Sequence, residues 1–155
     1  MTKTNVMRLL EAAGIAYRTA EYEYDEANLS GLHAAEQVGM DAEQVFKTLV
    51  TKGASGVYYV FDIPVAESLD LKKAAKAVGE KSIEMVHVKE INGLTGYVRG
   101  GCSPVGMKKQ YPTVFHETAT AGEIIMVSAG KIGYQIACAP GDLISLVRGT
   151  TADLV

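Results

Sequence analysis

Val45-Phe46-Lys47-Thr48-Leu49-Val50 and Val57-Tyr58-Tyr59-Val60-Phe61 are two runs rich in β-branched and aromatic residues, and Lys52-Gly53-Ala54-Ser55-Gly56 lies between them. Such residues favour extended chain, and a short glycine-bearing segment between two such runs predicts a β-hairpin. The same signature returns later. Ile124-Ile125-Met126-Val127-Ser128, a tight Ala129-Gly130 turn and the run from Gly133 to Cys138 predict a second hairpin. A further strand is expected through Tyr17 to Tyr24, with Tyr22 and Tyr24 on one face.

Helices are fewer and shorter. Thr4 or Asn5 can cap a helix whose Val6, Leu9, Leu10 and Ala13 fall at helical spacing before Gly14. A short helix is expected from about Leu32 to Gly39. Asp41 and Gln44 have the offset of a capping box that leads into the Val45 strand. Asp70 caps an amphipathic helix lined by Leu71, Ala74, Ala75 and Val78 and closed by Gly79. Pro140, Gly141 and Asp142 open a last helix through Leu143, Ile144 and Val147. The stretch from Thr95 to Gly106 is dense in glycine and reads as a loop of unusual backbone shape. Hairpins outnumber long helices, which predicts a mixed α/β fold: a mostly antiparallel, barrel-like sheet with peripheral helices, and no Rossmann alternation.

The 155 residues are expected to form one domain, 1–155, and a hydrophobic content of 48% is enough for a core without staples. A net charge of −3 argues against a protein that coats DNA or RNA nonspecifically, though Lys72, Lys73 and Lys76, or Lys108 and Lys109, could form a local patch. The N-terminus lacks a signal-peptide run, and no stretch nears the roughly 18 apolar residues of a membrane span. Cys102 and Cys138 show no metal or redox spacing. A cytoplasmic protein with no membrane partner is expected.

The chemistry narrows by elimination and then by two positive features. There is no dinucleotide-binding glycine motif, complete Walker loop or nucleophile elbow, and His33, His87 and His116 are scattered. No metal and no cofactor are expected. Cys102 is a thiol that could serve as a nucleophile, although small buried cysteines are commoner than catalytic ones. Lys47 is a lone cation amid Val45, Phe46, Leu49 and Val50. In a strand it shares a face with Val45 and Leu49, so it is either an inward-facing ligand for phosphate or carboxylate, or an edge lysine that reaches water. The second feature is Gly100-Gly101-Cys102-Ser103-Pro104-Val105-Gly106, which is either an ordinary tight loop or one whose N–H groups converge on a ligand oxyanion.

Both features lie in motifs that resemble the YbaK/EbsC family. The motifs are Gln44-Val45-Phe46-Lys47-Thr48-Leu49, Leu69-Asp70-Leu71-Lys72-Lys73-Ala74-Ala75-Lys76, Gly96-Tyr97-Val98-Arg99 running through the glycine loop to Lys109, and Val127-Ser128-Ala129-Gly130-Lys131-Ile132-Gly133, with Ala139-Pro140-Gly141-Asp142-Leu143 after them. The resemblance implies a β-barrel-like fold similar to the editing domain of bacterial prolyl-tRNA synthetases. It implies hydrolysis of mischarged tRNA, cysteine on tRNA(Pro) above all, with prolyl-tRNA synthetase as a transient partner. It also implies that Lys47 is the essential lysine and that Tyr22, Gly101 and Ser128 are site positions. Gln135 stands where such proteins carry an aspartate, so the substrate amine must be oriented differently. Gly100 and Gly101 are expected to supply oxyanion N–H groups, with Cys102, Ser103 and Gln135 as further substrate contacts. Three alternatives remain open: a deacylase for another small amino acid such as alanine, a noncatalytic tRNA- or synthetase-binding module, and a thiol enzyme using Cys102.

Overall fold

The computed structural model describes residues 2–23, 35–37 and 39–155. Tyr24 and the expected helix start at Leu32 lie outside the described residues. The first hairpin forms as the sequence predicts and extends further, as β2 (Phe46–Gly53) and β3 (Tyr58–Pro64), paired antiparallel with Lys47 opposite Ile63 and Thr48 opposite Asp62. Gly56 takes a positive φ of 92° in the turn, which a side chain would resist. On the outer edge of β2, the short β4 (Ile83–Met85) pairs only with Thr51–Gly53. On the other side β3 pairs in parallel with β5 (Thr113–His116), and β5 pairs in parallel with β8 (Thr150–Ala152). This five-stranded sheet has the order β4-β2-β3-β5-β8.

The second hairpin, β6 (Ile125–Ser128) and β7 (Tyr134–Cys138), joins β1 (Tyr17–Glu21) in a three-stranded antiparallel sheet of order β1-β7-β6. A single parallel bridge, Val45 to Met126, links the start of β2 to this sheet. The fold is the expected mixed α/β one, and the strands form two open sheets instead of a closed barrel.

Besides the helical residues 35–37, four α-helices have described bounds: α1 (Asn5–Ala12), α2 (Leu71–Val78), α3 (Val88–Thr95) and α4 (Pro140–Leu146). Asp70 caps α2 by accepting from the N–H groups of Lys72 and Lys73, and Gly79 ends it in the left-handed region. Ala74 and Ala75 of α2 bury against Phe61, Ile63 and Val114 on one face of the larger sheet. On the opposite side, α1 and α4 close a core of Val6, Leu10, Phe46, Val105, Phe115, Ile125, Ile136 and Leu143. Lys73 on the outer side of α2 pairs with Asp153 at 2.9 Å, so part of that lysine patch is an ordinary solvated ion pair.

Candidate active site

Strand β4 stops early, and this opens the site. The last bond on that edge of β2 is Val86 N–H to the Val50 carbonyl, at 3.2 Å, so the edge ahead of Val50 has no strand beside it. A cavity of about 380 Å³ fills the gap. Residues Val45 to Val50 form its floor, and Met85, Val86, Val88 and Ile91 form one wall. Arg99, Gly100 and Cys102 of the glycine loop form the second, and Ser128, Gln135, Tyr22 and Val65 close the far side. Because the cavity wraps round a strand edge, it meets side chains from both faces of β2, which is how Lys47 and Thr48 line it together.

Lys47 is half-buried, and burial pulls its ammonium below the usual lysine range while Glu67 partly opposes that shift. Among the described residues it forms no ion pair. Ser128 and Gln135 are register partners across β6 and β7, so the hairpin sets them side by side. Ser128 Oγ accepts from Gly130 N–H at 3.1 Å, which fixes the hydroxyl at the turn. Gln135 is 6% exposed, and its Oε1 has no hydrogen-bond partner among the described residues. A buried acceptor left open in a cavity wall is a place for a ligand donor. Tyr22 is held beside them by its N–H to the Gly133 carbonyl, at 2.9 Å.

The glycine loop needs two corrections. Val98 to Gly101 form a β-turn: Gly101 N–H donates to the Val98 carbonyl at 3.0 Å, and Gly100 takes φ +85° as the third residue, as a type II turn requires. The Gly101 N–H is therefore spent inside the turn, and Gly101 does not line the cavity. Its necessity is steric, since an added Cβ would stand 3.1 Å from Ile132 N in the β6–β7 turn. Ser103 also does not line the cavity. It is fully buried behind the wall, and its Oγ accepts from Val105 N–H at 3.3 Å. Gly100 lines the cavity, and its N–H has no backbone partner among the described residues.

Cys102 lines the cavity too, but burial, then the Asp62 carboxylate, push its thiol up to about 12. A thiol so firmly protonated is a poor nucleophile, which counts against a thiol enzyme. The residue-by-residue reading missed Arg99, Thr48 and the Met85–Ile91 wall. Arg99 had a legible signal, as a cation directly before the paired glycines. It also missed Asp62, 0% exposed, whose Oδ1 accepts from Thr48 Oγ1 at 2.6 Å and whose Oδ2 has no partner among the described residues.

Residues 30–153 match the family described as the aminoacyl-tRNA editing domain. An Enterococcus faecalis protein provisionally named Cys-tRNA(Pro)/Cys-tRNA(Cys) deacylase EbsC is 47% identical over 98% of this chain and 93% of its own length. The proline–tRNA ligase of Shouchella clausii is 31% identical over 65% of this chain, a match that spans only 18% of that enzyme. A crystal structure provisionally assigned as a trans-editing enzyme for prolyl-tRNA synthetase superposes with a TM-score of 0.83 at 28% identity, covering 96% of this chain and 93% of that one. The chain belongs to the aminoacyl-tRNA editing domain family.

Proposed function

We propose that this protein is a trans-editing deacylase that removes cysteine from mischarged Cys-tRNA(Pro), and from Cys-tRNA(Cys), with the substrate's own thiol as nucleophile. The observation that carries this reading is a cavity with cations on one side, an open buried acceptor on the other, and no ionised nucleophile of its own. Its volume, about 380 Å³, suits the aminoacylated end of a tRNA and little more.

In this reading Lys47 and Arg99 hold the terminal nucleotide, whose phosphate and ribose favour cationic and hydrogen-bonding partners. Gln135 Oε1 accepts from the substrate ammonium, a neutral acceptor in place of a charged one, while Ser128 and Tyr22 bound the space for the side chain. The substrate thiolate attacks the ester carbonyl carbon, and Gly100 N–H faces the oxygen on which charge develops. The carbon–oxygen bond to the ribose then breaks, the ribose oxygen takes a proton, and a cyclic thiolactone leaves with free tRNA. Holding thiol and carbonyl in one conformer makes the step intramolecular, which suffices for an already activated ester. A transient complex with prolyl-tRNA synthetase would deliver the substrate.

The test is single-turnover deacylation of Cys-, S-methyl-Cys-, Ser- and Ala-tRNA(Pro). Rapid loss of cysteine with an inert S-methyl analogue is expected. Rapid release of the S-methyl form or of alanine would instead identify a water-attacking enzyme for small amino acids.

A further inference from the structure

The open edge of β2 carries backbone groups that the side-chain chemistry above does not use. In an antiparallel strand both backbone groups of every second residue turn to the same edge. The Val45 carbonyl accepts from Val65 N–H, and Gly53 N–H donates to the Val57 carbonyl, so alternate residues from Val45 to Gly53 face β3. Thr48 and Val50 belong to the other set and face the opposite edge. On that edge β4 ends its pairing at Val86, whose N–H meets the Val50 carbonyl at 3.2 Å. The smaller sheet reaches β2 only at the bridge from Met126 to Val45. Thr48 falls in the gap between them. Its N–H and carbonyl, and the Val50 N–H, therefore have no strand beside them among the described residues, and both residues line the cavity. The Thr48 hydroxyl donates to Asp62 Oδ1 on β3 at 2.6 Å, which ties the residue presenting these groups to its neighbour strand.

A gap this short is no template for another strand, but it suits a flat heterocycle. The Thr48 carbonyl and the Val50 N–H stand side by side on the edge, an acceptor next to a donor. Adenine offers the complement, an exocyclic amino donor with a ring-nitrogen acceptor beside it. The adjoining wall of Met85, Val86, Val88 and Ile91 is apolar, and Met85 and Val88 are 45% and 56% exposed. Such a wall takes the face of an aromatic ring, and a methionine sulfur there adds a favourable contact. We propose that this edge reads the base of the terminal adenosine: the Thr48 carbonyl accepts from the amino group, Val50 N–H donates to the adjacent ring nitrogen, and the ring packs on the Met85–Ile91 wall. Every tRNA ends in adenosine, so the assignment rests on the deacylase reading and gives its nucleotide a place. The aminoacyl group is then left to Ser128 and Gln135 on the far side. Guanine and hypoxanthine carry an acceptor where adenine carries its amino donor, and they set oxygen against the Thr48 oxygen.

Because the readers are main-chain groups, the test varies the ligand. NMR titration of the wild-type protein follows the Thr48 and Val50 amides with AMP, IMP, CMP and purine riboside monophosphate. Two deaza analogues of AMP, each lacking one ring nitrogen beside the amino group, complete the series. AMP is expected to move both amides, with the Val50 proton shifted downfield. IMP and purine riboside monophosphate should bind at least about tenfold more weakly, because each leaves the carbonyl without its donor. One of the two deaza analogues should weaken similarly and so identify the edge of the base that is read. CMP presents the same pair of groups on a single ring, covers less of the wall, and should bind more weakly than AMP. The Met85→Ala/Val88→Ala double variant should raise the Kd for AMP several-fold with the melting temperature kept, since both side chains are exposed. A Val50 amide unmoved by millimolar AMP overturns the proposal. So does equal affinity for IMP or CMP, tight binding of both deaza analogues, or an unchanged Kd in the double variant. A protein that binds AMP in this way yet deacylates no tRNA refutes only the deacylase reading. One that deacylates Cys-tRNA(Pro) but does not tell AMP from IMP refutes only the base subsite.

Discussion

Phe61 and Ile63 leave β3 toward α2, whereas Val60 and Asp62 leave it toward the glycine loop. The first face is apolar under α2, where Phe61, Ile63, Ala74, Ala75, Ile83, Val114 and Leu154 form one buried cluster, and carries Lys47 only at its cavity end, opposite Ile63. The second face mixes core with chemistry, since Phe46 and Phe115 pack there beside Thr48 and a carboxyl with an open oxygen. Burial is equally complete on both sides, because Phe61 and Asp62 are each 0% exposed. What differs is what burial does. On the apolar face it stabilises the fold, and on the polar face it raises the pKa of a carboxyl hydrogen-bonded to the cavity residue Thr48.

The comparison breaks most visibly at Phe61. Phe61→Ala should cost about 3–5 kcal/mol, through lost apolar transfer and the cavity left behind, and denaturant unfolding would measure it. A cost under about 1 kcal/mol would mean that the α2 face is not the anchoring layer.

Asp62→Asn should act in a pH-dependent way. The folded-state carboxyl titrates near 7 and the unfolded one near its ordinary value of 3.8, so the folded state binds the extra proton between those limits. Wild-type stability therefore declines as pH rises from about 4 to 7, by up to on the order of 4 kcal/mol, while the asparagine variant lacks this decline. Unfolding free energies of both proteins at pH 4 and pH 8 check it, and parallel curves would refute it.

Lys47→Ala tests the mouth of the cavity, at the β2 end of the Phe61 face. Its ammonium is expected to meet ligand and not core, so kcat/KM for deacylation should drop at least about hundredfold, with the melting temperature nearly unchanged. The smallest effect is expected at Cys102. Cys102→Ala should leave turnover within about threefold, since a thiol held protonated contributes shape and not electrons. A collapse of activity in the folded variant would return the thiol-enzyme alternative.

The dry face was the more legible of the two. Asp70, the Leu71-Ala74-Ala75-Val78 spacing and Gly79 are local signals, and α2 forms where they predict, between its cap and its left-handed stop. Both hairpins were legible for the same reason, a turn between two β-rich runs. By contrast, β5 and β8 are short and pair in parallel with distant segments, so no local period announces them. Helix α3 was hidden because Asn92-Gly93 reads as a turn, yet both residues sit within Val88–Thr95. Asp62 was hidden because Phe61-Asp62-Ile63-Pro64 reads as the end of a strand. Part of its burial comes from β5, whose Phe115 pairs with it from about fifty residues further along the chain. Lys47 was legible from strand alternation, but the gap that exposes it depends on how soon β4 ends. Gly101 was singled out for its backbone freedom, while the structure uses it for its lack of a Cβ.

The protonated state of the Cys102 thiol has a consequence for chemical durability. Peroxides attack thiolates, and the first step toward sulfenic acid slows in proportion as the thiolate is rare. Cys102 is pushed up to about 12 and Cys138, buried in the second sheet, up to about 11, so neither presents an appreciable thiolate near neutrality. Under the proposed mechanism, a site that borrows its sulfur from each substrate and keeps its own sulfur capped with a proton has no resident nucleophile for an oxidant to spoil.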